Sequence, residues 1–182
     1  MIYNIIGCGE TGSYWDGHGL SIGVNDCEKN GKGVAALILI NHPNRFPGER
    51  INTIKASKAK IYTDTICANS WKKHFSQPIV LNLHRWAGGF SEKRKDRVYH
   101  SNTSPFVAMS LAFVMGATEL VLWGVDFQNH HKYSPGKSDF NNEVHNYLSL
   151  SSALKRKGCK VNVGHKDSFL YQFLPVYNPV LK

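Results

Sequence analysis

The chain has no C-x-x-C pair. Its four cysteines, Cys8, Cys27, Cys67 and Cys159, are widely spaced, with no histidine at zinc-finger distance. That pattern excludes a disulfide scaffold and a zinc finger, and points to reduced thiols in a reducing compartment. No apolar run approaches the roughly 20 residues of a membrane span. The start lacks the basic stretch of a signal peptide, so a cytoplasmic location is expected. There is no internal repeat, low-complexity tract or clear linker. With 182 residues, 42% of them hydrophobic, one sizeable core and a single domain over residues 1–182 are the expectation.

Acidic residues are scarce. Thirteen Asp and Glu face 22 Lys and Arg, for a formal net charge of +9. The basic residues crowd three stretches: Lys55–Lys60, Lys72–His74 and Glu92–Arg97. Such clusters either face solvent or contact phosphates, and a nucleic acid is one partner they suit. The third lies beside His84-Arg85-Trp86-Ala87-Gly88-Gly89-Phe90, which mixes aromatic and cationic groups. Arg85, Lys93, Arg94 and Lys95 are therefore the candidate polyanion-binding residues.

Short apolar runs alternate with helix-like segments. Strands are expected at Ile2–Ile6, Leu20–Val24, Val34–Ile40, Lys60–Tyr62, Ile79–Leu83, Leu120–Val125 and Lys160–Val163. Val34–Ile40 is apolar throughout, as a strand covered on both faces should be. A helix is expected over Ser104–Met115, with Ser104 as its cap, Pro105 at its first position and Gly116 at its end. A second helix is expected from about Asn141 to Lys157. The alternation implies right-handed crossovers. The fold class is a single Rossmann-like α/β domain with a mostly parallel sheet flanked by helices.

Gly7, Gly9 and Gly12 fit the dinucleotide pattern G-x-G-x-x-G directly after the first strand. That pattern needs a helix of some ten residues before the next strand. Only seven residues, Ser13–Gly19, separate Gly12 from Leu20, and two of them are glycine. A dinucleotide site is excluded, and no G-K-[ST] follows to make a Walker loop. What remains is a turn, GCGETG, whose backbone N–H groups suit an anion or serve only the chain's geometry.

Other polar residues gather where parallel strands end. Asn25 and Asp26 follow the second strand, and Asn41 follows the third. Thr103 and Ser104 open the first helix, while Gly124 and Asp126 follow the LVLW strand. With Gly7, Gly9, Thr11 and Gly12 they form the candidate nucleotide site. Asn side chains suit ribose and base edges, and a helix start suits phosphate. Among nine histidines, His130, His131 and His145 follow Asp126, and a neutral imidazole suits proton removal from a sugar hydroxyl. There is no D-x-D and no i,i+4 pair of metal ligands on a helix, so metal-independent chemistry is expected.

The set GCGETG, IGVND, INHP and TSPFVAMSLAFVMGATELVLWGVDF, with Tyr133 and His145, resembles bacterial sialyltransferases that modify lipooligosaccharides. It is also similar to their relatives, the flagellin-glycosylation group and small phage proteins. The resemblance implies that Gly7, Gly9, Asn25, Asn41, Thr103, Ser104 and Gly124 contact a cytidine- or uridine-type nucleotide. It implies that Tyr133 stabilises the leaving phosphate and that His145 is the general base on the acceptor. Three features depart from the family. Cys-Gly-Glu-Thr stands for Asn-Gly-Pro-Ser, Pro105 replaces a glycine, and Gln128 stands where a second tyrosine would be.

The expected function is a nucleotide-sugar-dependent glycosyltransferase. Its co-substrate is a CMP- or UDP-type nucleotide sugar, with no permanently bound cofactor, and its acceptor is a polyanion such as modified DNA. A phosphotransferase like the pterin pyrophosphokinases and a non-catalytic nucleotide- or DNA-binding module are the alternatives.

Overall fold

A computed structural model describes residues 1–128 and 135–179. Five strands come first: β1 (Ile2–Ile6), β2 (Leu20–Val24), β3 (Ala36–Leu39), β4 (Lys60–Asp64) and β5 (Ile79–Leu81). β6 (Leu83–Arg85), β7 (Val98–His100), β8 (Glu119–Trp123) and β9 (Lys160–Val163) follow. The helices are α1 (Glu49–Ala56), α2 (Ala68–Trp71), α3 (Ser104–Val114) and α4 (Phe140–Arg156). Seven strands form one sheet in the order β5-β4-β3-β2-β1-β8-β9, and every pairing in it is parallel. The chain builds outward from β1 to β5, then crosses to the other side for β8 and β9. In such sheets ligands bind at the carboxyl ends of the strands, near that reversal.

The apolar run of β3 has the cause its composition suggests. Ile38 packs into the core beneath α3 and α4, while Leu37 and Leu39 pack on the opposite face with Trp15, Phe46 and Trp71. α3 is buried nearly all round, because it lies over β1, β2 and β3 with β7 against it and Tyr147 of α4 against Phe106. Pro105 and Gly116 (φ +92°) mark its ends as the sequence suggests. The cap itself is one residue earlier than expected, at Thr103.

Two features depart from the sequence reading. The apolar run Ile79–Leu83 does not form one strand: Asn82 breaks it, leaving β5 in the large sheet and β6 in a separate parallel pair with β7. Helices α1 and α2 also lie in segments without a clear apolar period; α1 buries only Ile54.

Only residues 115–118 join α3 to β8, so the C-terminal end of α3 sits at the amino edge of the sheet. Eleven residues of helix span about 16 Å, close to the length of a five-residue strand. The N-terminus of α3 therefore reaches the carboxyl edge, where the loops after β1, β2, β3 and β8 emerge.

Candidate active site

The glycine turn is shaped by what lies against it. Gly7 N–H donates to the Trp123 carbonyl at 2.7 Å, and Gly9 N–H to the Gly124 carbonyl at 2.8 Å. A Cβ on Gly7 would sit 2.2 Å from the Gly124 oxygen, and one on Gly9 2.4 Å from Asp126 Oδ2. These glycines are needed because the end of β8 crosses them closely, and Gly124 itself has φ +67°. Gly12 N–H turns back to the Gly9 carbonyl. The N–H groups of Gly7, Gly9 and Gly12 thus stay within the chain, which corrects the expectation that they face an anion.

Thr11 and Asp126 complete this contact. Thr11 N–H donates to Asp126 Oδ2 at 2.9 Å, its hydroxyl donates to Oδ1, and the Gly124 N–H donates to that hydroxyl at 2.9 Å. Burial raises the Asp126 carboxyl above its ordinary value, with the Thr11 hydrogen bonds opposing. Both side chains are buried, and their bonds hold the turn rather than reach outward.

Asn25 and Asn41 do come together at the rim. Asn41 Nδ2 donates to Asn25 Oδ1 at 3.4 Å, and Asn25 adopts a left-handed backbone (φ 54°). Such a backbone costs most residues energy but is tolerated by asparagine. The Trp71 indole N–H holds the Asn41 carbonyl at 2.9 Å.

Asp26, next to Asn25, is held by an inward ion pair. It is buried and receives Arg50 Nε at 2.9 Å and Nη2 at 2.7 Å, a bidentate pair. Burial works to raise its pKa, but the Arg50 hydrogen bond and charge, with further hydrogen bonds, hold it below the ordinary value. The Cys8 thiol donates weakly to the same carboxylate at 3.6 Å. Burial, then the Asp26 charge, pushes that thiol up to about 12, so Cys8 is no nucleophile at neutral pH. Arg50 was not singled out in the sequence, where nothing links it to Asp26 24 residues earlier.

Ser104 is buried as the first residue of α3. Thr103 has its hydroxyl proton committed to Glu143 Oε1 at 2.9 Å, and its oxygen lies 2.7 Å from the Tyr147 hydroxyl. It is therefore no free donor to a ligand. Glu143 is the other residue the sequence reading missed: an acidic residue in the first turn of α4 looks like a solvated one, yet it is 0% exposed.

His145 is exposed, in the second turn of α4 and two residues from the inward-facing Glu143. Tyr133, with His130 and His131, lies outside the described residues. Gln128 donates to the Asp167 carbonyl at 2.9 Å. Among the described residues no group of three or more His, Cys, Asp or Glu side chains is placed to hold a metal ion.

The structure does not bring the four candidate polyanion residues together. Arg85 ends β6 beside His100, the last residue before the loop into α3. The segment carrying Lys93, Arg94 and Lys95 instead lies at the amino edge, around a cavity of about 360 Å³ bordered by Phe90, Phe113, Val114 and Lys157. There Arg94 pairs with Asp96 at 3.2 Å, and Lys157 with Glu92 at 2.6 Å. Trp86 and Phe90 are anchors: Trp86 packs on Tyr99 and Phe106, and Phe90 lies 4.8 Å from Phe113. They form no exposed platform for bases.

The fold is similar to that of the sialyltransferase CstII. The chain superposes on a variant of the α-2,3/8-sialyltransferase CstII with TM-score 0.61 and 13% identity, covering 100% of this chain and 89% of that one. CstII from Campylobacter jejuni in complex with CMP-3FNeuAc gives TM-score 0.58 and 15% identity, covering 98% and 86%. CstII with a trisaccharide acceptor and CMP gives 0.58 and 12%, covering 100% and 88%. No protein-family model matches the chain, and no curated protein sequence does.

Proposed function

We propose that the protein is a glycosyltransferase that takes its sugar from a nucleotide-sugar donor, with a CMP-type donor the first to test and a UDP-type donor the second. The observation that carries the reading is the pairing of Asn25 and Asn41 at the carboxyl rim, in a fold shared with enzymes solved with CMP and a CMP-sugar analogue. Two amides there offer donors and acceptors to ribose and base. Ser104 and the N–H groups of the α3 start suit the phosphate, and Gly124 lines the same edge.

In this reading the acceptor hydroxyl loses its proton to His145 as its oxygen bonds to the anomeric carbon. The bond from that carbon to the donor phosphate breaks, and the nucleotide leaves with the electron pair. Tyr133 and the helix N–H groups stabilise its charge. The acceptor is a sugar hydroxyl. Lys93–Lys95 lie at the far edge of the sheet and take no part, so a polyanionic acceptor has no support from the basic loop.

The test is release of free nucleotide from CMP- and UDP-sugars, alongside melting temperatures with CMP and UMP. Stabilisation by one nucleotide and its release from the matching sugar are expected. A melting temperature unmoved by any nucleotide sinks the site. His145→Ala should abolish transfer and leave CMP binding intact; full retained activity removes it as the base.

A further inference from the structure

The pair of Asp26 and Arg50 is lopsided: the carboxylate is buried, while the Arg50 side chain is 49% exposed. Nε and Nη2 donate to Asp26 along one edge of the guanidinium, and its Cζ lies 5.1 Å from the centre of the Phe46 ring. Arginine has five N–H donors. Two are spent on Asp26, and Nη1 makes no hydrogen bond among the described residues. The edge formed by Nη1 and the second Nη2 N–H is therefore free, and it matches two oxygens of a carboxylate or phosphate. A buried ion pair is often no more stabilising than apolar side chains of similar volume, so stability is a weak reason for this one. What the pair provides is a guanidinium fixed in plane and direction before a ligand arrives.

Its position is the rim that carries the two asparagines. Arg50 lies in the first turn of α1, at the end of the loop that leaves the carboxyl edge after β3, and Asp26 directly follows Asn25. Lys29 is a second cation there. It is exposed, and its Nζ donates to the Cys8 carbonyl at 2.7 Å, which leaves two of three ammonium N–H groups. Burial and the Asp26 charge raise the Cys8 thiol, and the charges of Lys29 and Arg50 both oppose them. Both cations thus lie close to the turn after β1. The Asp26 carboxylate is matched by Arg50, and Glu28 turns its own to the Val34 N–H.

We infer that Arg50, with Lys29 as a second cation, binds an anionic group of the donor, its phosphate or a carboxylate on its sugar. The inference rests on the reading of this rim as the donor site and adds what that site selects: a donor with two anionic oxygens for the free edge of Arg50.

Calorimetry on the full chain compares cytidine, CMP and CMP-3FNeuAc, whose sugar adds a carboxylate. Arg50→Lys keeps the charge opposite Asp26 but loses the fork. It should weaken at least one of the two anionic ligands by at least about tenfold and leave cytidine unchanged. A loss with CMP assigns Arg50 to the phosphate, and a loss with CMP-3FNeuAc alone assigns it to the carboxylate. Lys29→Gln leaves the Asp26 pair intact and should weaken the same ligand, again without affecting cytidine. Equal loss for cytidine and the anionic ligands, the mark of a general disturbance of the rim, overturns the inference. So does unchanged binding of all three in Arg50→Lys. If the wild type binds neither CMP nor UMP, the donor reading fails, and inorganic pyrophosphate then tests the anion subsite alone. Its addition to the wild-type chain should shift the Arg50 guanidinium resonances in NMR, and resonances that stay in place overturn the subsite.

Discussion

The Thr11 hydroxyl accepts the Gly124 N–H at 2.9 Å and donates to Asp126, which fastens the turn after β1 to the end of β8. The two segments are over a hundred residues apart in sequence and approach until their backbones touch. This contact, not a dinucleotide, accounts for the spacing of Gly7 and Gly9.

Substitutions at this contact should be severe. Gly7→Ala places a methyl 2.2 Å from the Gly124 oxygen, a backbone atom that cannot yield alone. Gly124→Ala adds a Cβ 2.6 Å from the Gly7 oxygen at a left-handed φ. Each should cost more than about 4 kcal/mol by urea denaturation. Gly116→Ala is the control: it has a left-handed φ but open space around it, and should cost only about 1 kcal/mol.

Arg50→Ala should destabilise by about 2–3 kcal/mol, because it leaves the Asp26 carboxylate buried without its cation. Adding Asp26→Asn should return at least about 1 kcal/mol of this, since the two residues are directly coupled. Strict additivity in that cycle would contradict the pairing.

Asp26 and Asp126 should titrate with opposite effects on stability. The Asp26 pKa is lowered below its ordinary value of 3.8, so its contribution is present above that value and disappears as pH falls through its folded pKa. Asp126 is raised above 3.8, so its contribution is present below that value and disappears as pH rises through its folded pKa. Between pH 3 and 6, Asp26→Asn should make stability rise less steeply with pH than in the wild type. Asp126→Asn should make it rise more steeply. Urea midpoints across that range measure both slopes.

All four thiols should be slow to react in the folded protein. Burial pushes Cys8 up to about 12, Cys67 and Cys159 each to about 11, and Cys27 upward as well. A thiol-disulfide reagent at pH 8 should find little thiolate until denaturant is added. Rapid labelling of Cys8 in the native chain would show that its sulfur is not held as described.

Elements governed by local pattern were legible in the sequence. β1, β2 and β9 begin and end where their apolar runs do, and Pro105 and Gly116 bracket α3. Asn25 and Asn41 were identifiable because each directly follows a strand in a parallel sheet, which sends both to one edge. β6 and β7 were not legible, since three-residue strands carry too little periodicity to read.

The sequence by itself determined the strands and helices that carry a clear apolar pattern, such as β1, β2, β9, α3 and α4, because backbone preference and apolar period act within a few residues. The tertiary structure decided which polar groups are spent inside the chain and which are left at the rim. The Thr11 hydroxyl went to Asp126, Asp26 went to Arg50, and the Thr103 hydroxyl went to Glu143. The reason is physical: a buried polar group must find a partner, and packing, not proximity in sequence, determines which partner lies within 3 Å.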